Sequence, residues 1–340
     1  PGRGQRASGA GRADGSHVGP AGGRDRDGAP RFDQSVPSGG YLWWYVDAVS
    51  DDGTQALTLI AFVGSVFSTY YAWAQRGGNA RQADPENHCC LNVALYGRGS
   101  RRWTMTERSR ASVSRSARDF VIGPSRLHWD GQCLTVHIDE VSVPLPSRVR
   151  GTVRIHPERL FDCVAALDDG GRHHWGPIAP SARVEVEFDK PGTRWSGHAY
   201  LDCNQGSEPI DRPFTEWDWS RSRLQDGSTA VIYDVRQKSG IDRLLALRFR
   251  PSGEVEPFEA PMRQALPRTA WRIDRTMRTD AHHPARVTQT LEDTPFYVRS
   301  VLQSGLLGES VVSMHETLNL PRLTSTAVRL MLPWRMPRTR

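Results

Sequence analysis

The chain has 340 residues, a length that suits two domains or one large β domain. Its net charge of +6 comes almost entirely from arginine, and eleven residues are tryptophan. The basic residues are scattered and no nucleic-acid-binding motif occurs, so we expect no nucleic-acid partner. The N-terminus lacks a secretory signal pattern, and the five cysteines lack the spacing of a disulfide framework. We therefore expect reduced thiols in a cytoplasmic protein.

Residues 1–38 consist of Gly, Arg, Asp, Ala and Ser with almost no large apolar side chains. Such a composition buries too little surface to offset the entropy of ordering the chain. We predict a disordered leader over these residues and assign it no role.

The stretch ALTLIAFVGSVFSTYYAWA, residues 56–74, is the one segment whose apolar content suggests a membrane helix. It is barely long enough to span a bilayer, and Gly64, Ser65, Ser68 and Thr69 interrupt its middle. β-Branched and aromatic residues dominate it, which favours two buried strands joined near Gly64.

Alternation with a period of two recurs along the rest of the chain. In ARVEVEF, residues 182–188, apolar side chains alternate with charged ones. PSRLHWDGQCLTVHI predicts a hairpin that turns at Asp130–Gly131. Residues 228–258 predict three strands with turns at Ser239–Gly240 and Ser252–Gly253. Because no convincing long amphipathic helix occurs, we predict an all-β sandwich or barrel.

Known cofactor motifs are absent from the sequence, which has no Gly-rich phosphate loop, dinucleotide fingerprint or nucleophile elbow. Three histidine-containing clusters lack the paired spacing of a zinc site, and these are His88 with Cys89–Cys90, His173–His174 and His282–His283. We therefore expect neither a metal nor a nucleotide cofactor.

The segment GHAYLDCNQG, residues 197–206, places His198, Tyr200 and Asp202 two apart. In a strand these side chains share one face. If that face lines a barrel, desolvation raises the pKa of Asp202 and leaves a carboxylic acid that donates a proton near neutral pH. The alternative is a surface or hydrogen-bonded aspartate beside ordinary core aromatics, and it stays open at this point.

Two other segments supply aromatic residues at the same spacing. RHHWGPIAP places His173 and Trp175 on one face if it is extended, and TEWDWSRS places Trp217 and Trp219 two apart. Other carboxylates compete for the role of the acid, and these are Asp130, Asp218, Asp234, Glu292 and Asp293.

Taken together, these segments resemble the carotenoid 1,2-hydratases of purple photosynthetic bacteria, also called hydroxyneurosporene synthases. The resemblance runs from about residue 39 to residue 338 and leaves the leader uncovered. The matching stretches are GGYLWWYVDAVSDDGTQALTLIAFVGSVFS, HCCLNVALYGR, WTMTER, HHWGPIAP, YLDCNQG, FTEWDWSRSRL, TLEDTPFYVRS and RLMLPWRMPR.

The resemblance implies a lyase that adds water across the terminal C1–C2 double bond of an acyclic carotene such as neurosporene or lycopene. The product is a 1-hydroxy carotenoid, and since no redox change occurs, no cofactor is implied. The resemblance also implies two consecutive lipocalin-like antiparallel β-barrel domains, which we place at residues 39–170 and 171–340. Whether neurosporene or lycopene is preferred, whether one or both ends are hydrated, and the oligomeric state are open at this point.

The family's His-x-Trp and Tyr-x-Asp pattern falls here on His173, Trp175, Tyr200 and Asp202, and leaves His198 outside. In the mechanism we expect, Asp202 protonates C2 and the faces of Trp175 and Tyr200 stabilise the cation at C1. His173 then orients the attacking water and takes its proton. The rival interpretation is a non-catalytic lipocalin-like carrier of apolar lipids, which needs no buried acid.

Because carotenes reside in the bilayer, we expect this protein to associate peripherally with the inner, photosynthetic membrane. The Arg-rich C-terminal stretch LMLPWRMPRTR is the expected contact, with Trp334 at the interface. An ordinary docked C-terminus is the alternative for this stretch.

Overall fold

Antiparallel strands dominate residues 22–77 and 83–339, which are the residues described by a computed structural model of the chain. Within these residues the larger sheet has thirteen strands. In chain order they are β1 (Tyr41–Ser50), β2 (Ala56–Val63), β3 (Cys89–Tyr96), β4 (Arg102–Arg108), β5 (Val113–Arg115), β6 (Asp119–Ile122), β7 (Ser125–Trp129), β8 (Leu134–Val141), β9 (Arg148–Pro157), β10 (Ala165–Ala166), β11 (His173–Lys190), β12 (Thr193–Gly206) and β22 (Arg338–Thr339).

A second sheet contains seven strands of the described part of the chain. They are β13 (Phe214–Arg223), β14 (Thr229–Gln237), β15 (Arg243–Phe249), β16 (Val255–Pro257), β19 (Arg286–Asp293), β20 (Tyr297–Leu306) and β21 (Glu309–Asn319). The strands β17 (Arg263–Ala265) and β18 (Thr276–Arg278) pair separately. The helices are α1 (Thr69–Arg76), α2 (Leu320–Leu323) and α3 (Thr326–Arg335), with 3-10 turns at Pro85–His88 and Arg110–Ser112.

The order of strands across the larger sheet is β22, β4, β3, β2, β1, β12, β11, β9, β8, β7, β6 and β5, and β10 pairs with β11. The second sheet has the order β16, β15, β14, β13, β21, β20 and β19. The sheets curl and form a half-barrel, so the prediction of a mainly β fold is confirmed at that level.

The central strands β1 and β12 are buried on both faces. In β1, Leu42, Trp44 and Val46 pack in a core formed within the larger sheet, whereas Trp43 and Tyr45 pack toward the second sheet. This division follows from the period of two along a strand, which sends neighbouring side chains to opposite faces. The same alternation in β12 directs the even-numbered residues, including the predicted acid, toward the space between the sheets.

Three local predictions are confirmed. Strands β7 and β8 form the hairpin whose turn carries Asp130–Gly131, and Trp129 pairs with Leu134 across it. Strands β14, β15 and β16 follow one another with turns at the predicted positions. In β11 the side chains of Val184, Val186 and Phe188 are buried, as their alternation with charged residues predicts.

Residues 56–74 differ from the prediction of two strands. The first half is strand β2, but the second half begins helix α1. The backbone turns at Gly64, whose φ of +71° favours glycine. Ser68 then caps the helix, because its side-chain oxygen accepts a hydrogen bond of 2.9 Å from the backbone N–H of Tyr71. None of the helices in the described ranges combines the length and apolar character needed to cross a bilayer.

The predicted leader divides into two parts. Residues 1–21 lie outside the described residues. Residues 22–38 pack against the larger sheet, which differs from the disorder predicted for them. Phe32 is fully buried with its ring centroid 4.8 Å from that of Trp44, and Arg24 is buried with Nη1 donating to the backbone oxygens of Phe161 and Pro177. One aromatic side chain and one arginine therefore anchor a segment whose average composition is polar.

The predicted domain boundary at residue 170 falls inside the larger sheet. Strands β11 and β12 follow that boundary, yet β11 pairs with β9 and β12 pairs with β1. The chain passes to the second sheet only between Gly206 and Phe214. The long hairpin of β11 and β12 therefore completes the larger sheet and presents one face to the second.

Candidate active site

A cavity of about 1020 Å³ lies between the two sheets. This volume is at the upper end of the range for small-molecule sites. Its wall contains many aromatic side chains, among them Tyr45, Trp217, Trp219 and Tyr233. These side chains come from β1, β13 and β14, so both sheets contribute to the wall.

Asp202 lines this cavity from the middle of β12, and only 4% of its surface is exposed. Its Oδ2 accepts two hydrogen bonds, from Trp175 Nε1 at 2.7 Å and from the Tyr200 hydroxyl at 2.8 Å. Its Oδ1 is buried and has no hydrogen-bond partner among the described residues. One carboxyl oxygen is therefore held in place and the other is free to meet a ligand.

Burial raises the pKa of Asp202 to about 8, since the cavity disfavours a charge. The hydrogen bonds from Trp175 and Tyr200 act in the opposite direction, and the nearby carboxylates of Glu316 and Asp47 raise the pKa further. Asp202 is therefore protonated at neutral pH. Because both donors point at Oδ2, the acidic hydrogen belongs on Oδ1, where it can be given to a bound molecule.

Trp175 and Tyr200 are fully buried behind Asp202 and do not line the cavity. Their rings pack edge-on or tilted against Tyr233 at 5.7 Å and Trp219 at 5.2 Å, respectively. We expected the ring faces of Trp175 and Tyr200 to stabilise a cation. In the structure these residues instead donate hydrogen bonds to Asp202 through the indole N–H and the phenol O–H. The TEWDWSRS motif instead supplies two aromatic residues that line the cavity, Trp217 and Trp219.

His173 is fully buried at the start of β11 and lies outside the cavity wall. Its Nδ1 is 2.8 Å from the Tyr41 hydroxyl, its ring packs 4.9 Å from that of Phe214, and Nε2 is 3.6 Å from Glu208 Oε1. Desolvation lowers the pKa of His173, which favours the neutral imidazole. The structure therefore does not bring His173 together with Asp202 at the cavity surface. The prediction that it contacts the attacking water has no geometric support.

His198 is half-buried and also lies away from the cavity wall. It contacts the guanidinium groups of Arg183 and Arg223, and it is 3.7 Å from Asp51. Its lower rank among the candidates therefore agrees with its position. The face shared by alternate residues of a twisted strand does not keep one environment along 14 residues.

The competing carboxylates have other partners or other positions. Asp130 accepts backbone hydrogen bonds in the exposed turn between β7 and β8. Asp218 and Asp234 form ion pairs with arginines at 3.1 Å and 2.8 Å. Glu292 and Asp293 line the cavity, and Glu292 Oε2 accepts a hydrogen bond of 3.0 Å from a tyrosine hydroxyl. Of the candidates that the sequence offered, Asp202 is the one that is both deeply buried and on the cavity wall.

Glu316 lines the cavity and was not among the site residues predicted from the sequence. Its Oε1 receives Arg299 Nη2 at 2.7 Å, Arg299 Nε at 2.9 Å and the hydroxyl of Tyr45. A signal was present, because Glu316 alternates with Met314 and Leu318, both of which are buried. A carboxylate on an otherwise apolar strand face has the same pattern that drew attention to Asp202.

The mouth of the cavity carries several exposed apolar side chains. Leu145 is 82% exposed and Trp334 is 75% exposed, and Met331 and Trp271 are also exposed. All four line the cavity. Arg335 joins them, with its guanidinium 4.3 Å from the centre of the Trp103 ring. An apolar rim with a nearby cation is typical of a surface that meets an amphipathic partner.

A metal site was not expected from the three histidine-containing clusters. Among the residues that the structure describes, no group of three His, Cys, Asp or Glu side chains is arranged to hold a metal ion.

Comparison with known proteins identifies the family. The model of the carotenoid hydratase CrtC family matches residues 59–340. The acyclic carotenoid 1,2-hydratase of Rubrivivax gelatinosus is 68% identical over 311 residues, which cover 92% of this chain and 76% of that protein. The enzyme of the same name from Thiocapsa roseopersicina is 54% identical over 338 residues, which cover 99% of this chain and 82% of that protein.

Among solved structures, CghA with Sch210972 is similar at a TM-score of 0.50 and 12% identity, covering 87% of this chain and 96% of that chain. This likeness concerns the fold alone. The match to the family model extends over strands of both sheets and includes Asp202. The chain belongs to the carotenoid hydratase CrtC family.

Proposed function

We propose that this protein is an acyclic carotenoid 1,2-hydratase. It adds water across the terminal C1–C2 double bond of a carotene such as neurosporene or lycopene and gives a 1-hydroxy carotenoid. The observation that carries this proposal is a buried Asp202 whose Oδ1 has no partner among the described residues, on the wall of a cavity lined by aromatic side chains. Addition of water needs no electron acceptor, so we propose acid catalysis without a cofactor.

The first step is proton transfer from Asp202 Oδ1 to C2. The π electrons form the new C–H bond and leave a tertiary cation at C1. The aromatic side chains of Trp217, Trp219 and Tyr233 line the cavity and are suited to stabilise this charge, at about 2 kcal/mol for a desolvated cation over a ring. This interaction accelerates the reaction because the charge is absent from the bound carotene.

Trp175 and Tyr200 act on the acid after it has given up its proton. As negative charge develops on Asp202, the two hydrogen bonds to Oδ2 strengthen and stabilise it. Both donors are already in place, so no reorganisation is needed during the step. The same bonds keep the pKa of Asp202 from rising further, which keeps the acid strong enough for an alkene.

The rival proposal is a non-catalytic carrier, and the large apolar cavity is the observation in its favour. The test is to incubate purified protein with lycopene or neurosporene, without added cofactor, and to weigh the products by mass spectrometry. A product heavier by one water supports the hydratase. Asp202→Asn is expected to bind the carotene and lose hydration, by roughly 10²–10⁴-fold.

The control variant is Asp130→Asn, which makes the same change in an exposed turn that tolerates asparagine. Hydration should be unchanged in this variant. Carotene recovered unaltered from the wild-type protein would support the carrier, and full activity in Asp202→Asn would assign the acid to another residue.

We also propose that the protein associates with the membrane that holds its substrate, at the cytoplasmic side. The support is the position of exposed Leu145, Trp271, Met331 and Trp334 around the cavity mouth, beside Arg335. Aromatic and apolar side chains insert into the headgroup region, and arginine pairs with anionic lipid. A carotene end then passes from the bilayer into the cavity without crossing water.

Vesicle co-sedimentation tests this membrane contact. Removing residues 330–340 would also remove part of α3 and strand β22, which pairs with β4, so point substitutions are sharper. Leu145→Glu combined with Trp334→Glu should abolish sedimentation with anionic vesicles. Val312→Glu, an equally apolar exposed position on β21 away from the cavity, is the control. Equal sedimentation of all variants would exclude the rim as the contact.

The finer proposal for the fold is a pair of lipocalin-like barrels. Its support is that both curled sheets are built largely from antiparallel strands joined by short hairpins. A closed barrel has no free edge strand, so hydrogen exchange at the edge strands β5 and β16 tests closure. Slow exchange at both edges would support two barrels, and rapid exchange would support open sheets.

A further inference from the structure

We propose that Glu316 holds the water that attacks C1 and accepts its proton. This inference rests on the hydration reaction proposed above and assigns its second half. The role was expected of His173, which does not line the cavity, whereas Glu316 does.

Glu316 and Asp202 both line the cavity although they belong to different sheets, and Glu316 is close enough to raise the pKa of Asp202. Tyr45 connects them, because it pairs with Asp202 across β1 and β12 and its hydroxyl donates to Glu316. Trp219 pairs with Glu316 across β13 and β21, and its ring centroid lies 5.6 Å from that of Tyr45. A terminal double bond beside Asp202 is therefore also beside Glu316.

The two carboxylate oxygens of Glu316 have different surroundings. The contacts from Arg299 and Tyr45 all go to Oε1. No hydrogen bond to Oε2 occurs among the described residues, and Glu316 borders the cavity. Arg299 itself is held by donating to the Tyr96 hydroxyl at 2.9 Å. The carboxylate is thus fixed by one oxygen and presents the other to a ligand.

Two buried polar atoms on aromatic residues of the cavity wall also lack partners in the described part of the chain. They are Trp219 Nε1 and the hydroxyl of Tyr297. Tyr297 belongs to the same group, since the Arg299 guanidinium lies 5.4 Å from its ring centre and 5.6 Å from that of Tyr45. A bound water needs two to four polar partners. Indole N–H, phenol and carboxylate together provide the donors and acceptor for one water at an otherwise aromatic wall.

Hydration proceeds by proton transfer from Asp202 followed by attack of water on C1. The Asp202 O–H bond breaks, a C2–H bond forms, and C1 becomes a cation. A lone pair of the water oxygen forms the C1–O bond while one water O–H bond breaks toward Glu316 Oε2. The product is the tertiary alcohol, with Asp202 ionised and Glu316 protonated. Proton exchange through cavity water returns the hydrogen to Asp202 and restores both groups.

Asp47 is the other carboxylate close enough to influence the pKa of Asp202. It is fully buried, pairs with Arg221 through both of its oxygens, and does not line the cavity. It therefore has no free oxygen for a water beside the substrate. Glu316, in contrast, lines the cavity, and the contacts from Arg299 and Tyr45 go to only one of its carboxylate oxygens.

The test separates protonation from water attack by using D₂O. In the wild-type protein both steps occur and the product alcohol carries deuterium. In Glu316→Gln, Asp202 still delivers deuterium to C2, but the cation collapses by returning a proton to Asp202. Hydration should fall at least about 100-fold. The recovered carotene should contain deuterium at C2, measured by mass spectrometry.

Two further variants guard against a folding defect. Glu140→Gln makes the same change in another buried carboxylate, which pairs with Arg108 at 3.0 Å outside the cavity, and it should hydrate normally. Glu316→Asp keeps a charge for Arg299 but withdraws the carboxylate by one methylene. It should also exchange deuterium while hydrating slowly.

The outcomes distinguish this inference from the proposed function. Wild-type protein that neither hydrates nor exchanges would refute the hydratase itself. Wild-type hydration with equal hydration in Glu316→Gln would refute the role of Glu316 alone. Joint loss of hydration and exchange in both Glu316 variants, with their thermal unfolding unchanged, would also overturn it, since Glu316 would then serve the acid step.

Discussion

Replacing Asp202 with asparagine is expected to change how the stability of the protein depends on pH. In the wild-type fold burial raises the pKa of Asp202 from 3.8 to about 8. Between these values the folded protein keeps a proton that the unfolded chain has lost. The free energy of unfolding therefore decreases as the pH rises through this window, and the variant lacks this contribution.

The expected slope is about 1.4 kcal/mol per pH unit for one proton. Between pH 5 and pH 7 the stability of Asp202→Asn should rise relative to the wild type by about 3 kcal/mol. Every other titrating group is present in both proteins, so the difference isolates Asp202. Loss of either hydrogen bond at Oδ2 would add an offset that does not vary with pH.

Urea unfolding at pH 5, 6 and 7, followed by tryptophan fluorescence or circular dichroism, measures this difference. The two proteins should diverge steadily across the series. A constant difference at all three pH values would mean that Asp202 titrates normally in the folded state. The chemistry proposed here would then have no proton donor.

Three other results are expected. The rate of hydration should decrease tenfold per pH unit above about pH 8, because only protonated Asp202 donates a proton. A rate that stays level to pH 10 would contradict the assignment of Asp202 as the acid. In Tyr200→Phe the pKa of Asp202 should rise further, since that hydrogen bond lowers it, so the alkaline limb of kcat/KM should move to higher pH. Phe32→Ala should lower the free energy of unfolding by about 3–5 kcal/mol, whereas a loss below about 1 kcal/mol would show that the segment is not packed.

The acid could be found from the sequence because its environment is local. Asp202 alternates with Tyr200 on one strand, and Trp175 lies on the strand that pairs with it. Period-two alternation and the family resemblance therefore sufficed to place these three together. The separate roles of Trp175 and Tyr200 were not predictable from the sequence, because they depend on how the side chains are oriented. The indole N–H and the phenol O–H both donate hydrogen bonds to the carboxyl group of Asp202.

The rest of the site depends on contacts between distant parts of the chain. Glu316 lies 114 positions after Asp202, and the two belong to different sheets that both line the cavity. Nothing in the local pattern of β21 specifies that packing. Similarly, Phe32 lies in a polar segment, and its burial depends on Trp44 and Phe120 in the larger sheet. The average composition of such a segment does not reveal that one aromatic side chain, Phe32, is buried.

The division of the chain into two domains near residue 170 stays a prediction. The predicted boundary near residue 170 comes just before strands β11 and β12. The hairpin of β11 and β12 nevertheless pairs back to β9 and β1, because its two faces are both apolar over much of its length. Which strands pair with this hairpin depends on the arrangement of the whole sheet and cannot be predicted from the local sequence.

The most direct test of the central claim is to observe the protonation state of Asp202. Infrared difference spectra between the wild type and Asp202→Asn, recorded from pH 6 to pH 10, would show the carboxyl group of this residue alone. We expect the carbonyl band of a protonated acid at pH 7, converting to carboxylate near pH 8. A carboxylate band already present at pH 6 would contradict the proposal that a neutral Asp202 supplies the proton.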